Sequence, residues 1–192
     1  MNKKYLILPA VLLAATATAT VTAVRMWPSP LKDLRAQNLC LGMLTEKTAR
    51  LLDDHKGGKP AVDEDRSEGA GADPVFSTVC FVGRGTSEDT TPRIQYTLDV
   101  RPADAPNEPM KGATPLTDGR SGWVGPRQSE VQLPTACPKR MKTDAAYVTV
   151  TLKVAPGVVA AENWDEAALT AASRTVALEA VDNLTEQYDC AA

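Results

Sequence analysis

Arg93-Ile94-Gln95-Tyr96-Thr97-Leu98-Asp99-Val100-Arg101 alternates without a break. Ile94, Tyr96, Leu98 and Val100 fall on one face of a strand, and Arg93, Gln95, Thr97 and Asp99 on the other, which is the two-residue period of a sheet with one buried side. Tyr147 to Val154 repeats the pattern, setting Val148, Val150, Leu152 and Val154 against Tyr147, Thr149, Thr151 and Lys153. Two more stretches extend: the nearly continuous apolar run Val75 to Val82, and Gly122 to Leu133, which Gly125-Pro126 interrupts as a bulge or as two short strands. Strands with one wet face predict an antiparallel sheet covered on its other side by helices.

Outward from these strands, helices are expected at both ends. Ser29-Pro30 is a helix entry, because Ser caps free amides and Pro is tolerated at the first helical position. Leu31, Leu34, Leu41 and Leu44 recur at helical spacing, Gly42 marks a break, and Thr45-Glu46-Lys47 restarts a helix through Leu51 and Leu52. Asn163 is the expected cap of a long last helix, in which Glu166 completes a capping box and Leu169, Val176, Ala177, Ala180, Val181, Leu184 and Tyr188 form one stripe. Residues 55–74 are rich in Gly, Pro and acids and too poor in apolar side chains to pack, so a mobile acidic loop is expected there. The expected fold class is α+β. Residues 28–192 form a single domain, an antiparallel sheet of about four strands packed by an N-terminal and a long C-terminal helix, and an N-terminal apolar helix precedes it.

That apolar helix is the uncharged run Tyr5 to Val24, behind Lys3-Lys4 and ahead of Arg25-Met26-Trp27-Pro28. Residues 1–27 have the layout of a signal peptide or a membrane anchor. Ala17-Thr18-Ala19 and Val21-Thr22-Ala23 place small or permitted residues at the minus-three and minus-one positions that a signal peptidase requires. Equally, about 20 uncharged residues suffice for a helix to cross the hydrocarbon core, with Trp27 at the interface and the lysines inside. On either reading the remainder is extracytoplasmic, and the N-terminal segment makes the membrane a partner.

An extracytoplasmic address governs the four cysteines, Cys40, Cys80, Cys137 and Cys190. None belongs to a C-x-x-C pair of the kind that clamps zinc or exchanges thiols. In an oxidising compartment they are expected as disulfides. Three pairings are open; Cys40 with Cys80 and Cys137 with Cys190 is favoured, because each bridge would tie a helix to a strand end.

Composition excludes more than it assigns. The chain of 192 residues suits one core, and 5% aromatic content leaves that core to Val, Leu and Ala. The formal charge is −3, and the leader as far as Val24 holds two lysines and no acid, so the rest carries −5. No basic cluster is denser than Lys139-Arg140 with Lys142, so nucleic acid is not an expected partner. His55, the single histidine, sits beside a Gly-rich stretch that would hold a catalytic base poorly, and is expected as a solvated cation near a helix end. Asp63-Glu64-Asp65 lacks the spaced oxygen ligands of a calcium loop, and Asp165-Glu166 is explained by helix capping. Gly83-Arg84-Gly85-Thr86 matches neither phosphate-loop motif and reads as a hairpin turn. No catalytic residue, metal or cofactor is expected. Trp123 and Trp164 remain, either as plugs at the rim of the sheet or as a binding surface, where Trp is enriched.

The features run in a definite order: a Lys-rich start, an Ala/Thr-rich apolar run, Cys40-Leu41-Gly42-Met43-Leu44, an acidic Gly-rich stretch, a strand cysteine at Cys80, Leu133-Pro134-Thr135-Ala136-Cys137, and a Cys-terminated last helix. This layout resembles the small secreted or membrane-anchored proteins of high-GC actinobacteria such as Streptomyces. The resemblance covers most of the chain and brings no activity and no functional residue with it. The expected function is a non-catalytic binding or interaction module of the cell envelope, membrane-tethered or secreted, facing an envelope protein or a cell-wall partner. A secreted inhibitor or factor and a carboxylate-dependent hydrolase are the alternatives.

Overall fold

The structure, a computed structural model, describes residues 38–68, 76–85, 91–162 and 164–191, all within the compact unit Lys32–Ala192. The leader, the helix entry at Ser29-Pro30 and Asn163 lie outside the described residues. Seven strands form one antiparallel sheet: β1 (Lys59–Glu68), β2 (Phe76–Gly85), β3 (Arg93–Ala103), β4 (Thr114–Pro115), β5 (Gly122–Val124), β6 (Gln128–Gln132) and β7 (Tyr147–Val154). Their order across the sheet is β1-β2-β3-β7-β6-β5-β4. Four helices accompany them among the described residues: α1 (Glu46–Ala49), α2 (Cys137–Arg140), α3 (Pro156–Val159) and α4 (Glu166–Gln187).

The expectation of about four strands between two packing helices is therefore corrected. Strands dominate, and only α4 is long among the described helices. β1 accounts for much of the difference, because it occupies the stretch expected as a mobile loop. An edge strand needs hydrogen bonds on one side only and can turn charges to solvent. β1 takes its bonds from β2 in a register running from Lys59↔Gly85 to Glu68↔Phe76. Asp63, Glu64 and Asp65 stay exposed, while Val62 packs on the core. The same pairing carries β2 through Gly83-Arg84-Gly85, which had the look of a turn. Gly125-Pro126 does divide its stretch into β5 and β6, and β4, at two residues, is too short to show a period.

β3 and β7 are the centre. Leu98 faces Leu152 and Val100 faces Val150 across the ladder, and all four are buried. The β3 alternation fails at one end: a register shift lies between Val82 and Gly83, Ile94 is 49% exposed, and Gln95 is buried. α4 packs over β5, β6 and β7 with Leu169, Val176, Ala177, Ala180, Val181 and Leu184 buried. Its cap is Asp165, whose Oδ1 accepts from Ala168 N at 2.6 Å, so Glu166 is the first helical residue and no capping box forms.

The segment ahead of β1 covers the other half of the core with Cys40, Met43, Leu44, Ala49 and Leu52. Thr45 caps α1, which stops at Ala49, short of Leu52. Glu179 of α4 holds this segment, accepting from Thr45 N at 2.7 Å and from Thr48 Oγ1 at 2.5 Å. Two disulfides, Cys40–Cys80 and Cys137–Cys190, fasten the segment to β2 and the end of α4 to α2. They mark an oxidising, extracytoplasmic setting. No helix among the described residues is long and apolar enough to cross a membrane.

Candidate functional site

Three connections meet at the start of α4. The chain from β3 to β4 brings Met110, Lys111 and Ala113; the β5–β6 turn brings Gly125, Pro126, Arg127 and Gln128; α3 brings Val159. With Trp164, Asp165, Glu166 and Leu169 they enclose a cleft of about 470 Å³. Small-molecule sites span about 300–1,000 Å³ and combine an apolar lining with a few polar groups.

Each wall is held for a local reason. Gly125 allows the β5–β6 turn to close, since a Cβ there would lie 3.0 Å from Gln128 O. Ser129 Oγ bonds Gly125 on both sides, accepting from its N at 3.3 Å and donating to its O at 3.4 Å. Val154 N donates to Arg127 O at 2.9 Å, pinning the turn to β7. Residues 104–112 are all exposed, but Asn107 reaches back to the sheet. Its backbone N donates to Glu130 Oε1 at 3.0 Å and its Nδ2 donates to Glu130 Oε2. Glu130 is only 1% exposed, so this connection is moored to a buried carboxylate.

Trp164 forms part of the cleft lining, and its indole is fixed from behind. Nε1 donates to Asp53 O at 2.9 Å, and the ring lies 5.6 Å from that of His55. A polar network holds Asp53 and its neighbours in turn. Arg84 pairs with Asp53 Oδ2 at 2.8 Å, and Arg93 Nε with Asp54 Oδ2 at 3.1 Å. Asp54 N donates to Gln95 Oε1 at 2.6 Å, and Gln95 Nε2 donates to Arg93 O at 2.8 Å. Burial pushes the Asp54 carboxyl up, but bonds from Arg93 and Lys56 N and the Arg93 charge outweigh it and hold its pKa below the usual value. Tyr96, buried beneath α1 with its hydroxyl 3.3 Å from Ala49 O, is pushed up by burial and then by the Glu179 charge.

Of the two tryptophans singled out in the sequence, only Trp164 reaches the cleft. Trp123 pairs with Glu130 across β5 and β6, on the sheet face opposite the core, and is 3% exposed with Nε1 lacking a hydrogen-bond partner. The four cysteines are structural. His55 lies in the connection after α1, not at a helix end, with a positive φ of 55° and Nδ1 3.0 Å from Asp53 Oδ1. Glu64 accepts from Leu41 N at 2.8 Å, and no group of three metal-ligating side chains exists among the described residues. Asp99 and Glu130 share the outer sheet face, yet Asp99 pairs with Arg101 and neither lines the cleft. Asp165 and Glu166, which sequence reasoning assigned to capping alone, do line it. Lys111, Arg127, Val159 and Leu169 were missed because they come from four separate segments that no spacing links. The available signals were Gly125-Pro126 as a turn and Pro156 just after β7 as a helix start.

Comparisons with family models, curated proteins and solved structures find no match to this chain.

Proposed function

We propose that the protein is a non-catalytic binding module of the cell envelope that holds a small ligand in the cleft at the start of α4. The observation that carries this reading is Trp164, an aromatic ring lining the cleft and fixed by its bond to Asp53 O at 2.9 Å. A binding surface gains when its aromatic anchors are held before the ligand arrives. The disulfides support an extracytoplasmic address, and the apolar run Tyr5 to Val24 supports tethering or export through the N-terminus.

Native mass spectrometry of the full chain, incubated with a small-molecule extract of cell envelopes, tests the proposal. The expected result is a retained small molecule that is released chemically unchanged, and whose occupancy falls in Met110→Arg, a substitution at an exposed residue of the cleft wall. Release of an altered molecule would contradict a non-catalytic role, and retention unaffected by Met110→Arg would contradict the cleft.

A further inference from the structure

The charges around the cleft, taken with the reading of it as a ligand site, narrow what fills it. Lys111 and Arg127 stand at the cleft with one sign, Asp165 and Glu166 with the other. None of the four is in an ion pair among the described residues, whereas Arg84, Arg93, Arg120 and Arg174 all are. Two charges of each sign cancel, so the cleft presents no net charge to steer a simple anion or a simple cation. These side chains are exposed, and an uncharged ligand can hydrogen-bond to them but neutralises none of their charges. A ligand with one ammonium and one carboxylate satisfies both signs at once.

The placement of the charges also orients such a ligand. The start of a helix ordinarily favours an anion through its dipole, but here Asp165 and Glu166 occupy it, and Asp165 Oδ1 already caps Ala168 N at 2.6 Å. The remaining carboxylate oxygens turn that end toward a cation. Lys111 and Arg127, from the β3–β4 and β5–β6 connections, are left for an anion. Trp164, Val159 and Leu169 supply apolar surface. We propose that the cleft takes a zwitterionic α-amino acid or short peptide with an apolar side chain, its ammonium toward Asp165 and Glu166 and its carboxylate toward Lys111 and Arg127.

Calorimetric titration of the full chain, with disulfides intact, separates the terms. Four probes suffice: leucine, leucinamide without the carboxylate, N-acetylleucine without the ammonium, and N-acetylglucosamine without charge. The expected result is saturable leucine binding at about 1 mM or tighter, with each blocked form at least ~10-fold weaker. Arg127→Glu, an exposed substitution whose folding circular dichroism verifies, should abolish the leucine signal. Blocked forms binding as well as leucine, or no leucine binding up to about 10 mM, would overturn the proposal. If N-acetylglucosamine alone binds and Arg127→Glu or Met110→Arg weakens it, the ligand class fails and the cleft stands. Binding of any probe that neither substitution alters would remove the cleft as well.

Discussion

Trp164 donates to Asp53 O, and Asp53 is itself paired with Arg84, so the indole is the end of a chain of contacts reaching back to β2. Trp164→Phe keeps an aromatic ring but removes the donor and part of the indole's packed area. It should lower stability by about 1–2 kcal/mol in chemical denaturation, one hydrogen bond plus the lost packing, and weaken leucine binding about 10-fold because the ring is no longer held. Asp54 gives a pH-dependent test of the same network. Its pKa is lowered on folding from an ordinary 3.8. Its contribution is therefore complete above that value and is lost as pH falls through the lower folded value. Asp54→Asn should destabilise the protein by about 1–2 kcal/mol at neutral pH. The gap in urea midpoint between variant and wild type should shrink as pH drops below 3.8; an unchanged gap at low pH would contradict the network. Trp164 stood out in the sequence because it lies off the apolar stripe of the last helix. Asp54 did not, because its partners Arg93 and Gln95 lie some forty positions away and only the β3 register brings them close.

The connection between β3 and β4 is one wall of the cleft, and its mooring to the sheet is the bond pair from Asn107 to Glu130. Glu130→Gln leaves one acceptor where the carboxylate offered two. Amide hydrogen exchange should therefore quicken over residues 104–113, with β3 and β7 unchanged. Uniform loss of protection would mean that Glu130 serves global stability instead. Gly122 is the counterpart in β5. It has a φ of 137°, and a Cβ would meet Glu130 O at 2.2 Å, so Gly122→Ala should destabilise by about 2 kcal/mol or more in thermal melts.

Elements with a regular period were legible in the sequence: β3, β7 and the stripe of α4. β1 was not, because an edge strand owes its existence to the backbone of β2 and tolerates Asp63, Glu64 and Asp65 facing water. The helix start was misplaced for a related reason. Asn163 and Asp165 are both good caps by residue type, and only the bond from Ala168 N to Asp165 distinguishes them.

Across the domain, a core built largely from Val, Leu and Ala is supplemented by bridges at sequence separations of 40 and 53. Each bridge restricts the unfolded chain by about 4 kcal/mol in the loop-entropy treatment, a large share of a net stability of about 5–15 kcal/mol. Replacing Cys137 and Cys190 together by Ser should cut the denaturation free energy by roughly that amount. An unchanged midpoint would show that the bridge is not a main support. The cleft belongs to this level too, since it exists only where three connections and the start of α4 converge, and no local run of sequence encodes it.

Soaking crystals of the full chain in a panel of small organic fragments, and mapping where they bind, tests the cleft at the start of α4 directly. Density is expected to stack on Trp164, between Leu169 and the β5–β6 turn. Fragments that gather along the β1 edge or beside Lys139 and Lys142, and leave the cleft empty, would contradict it.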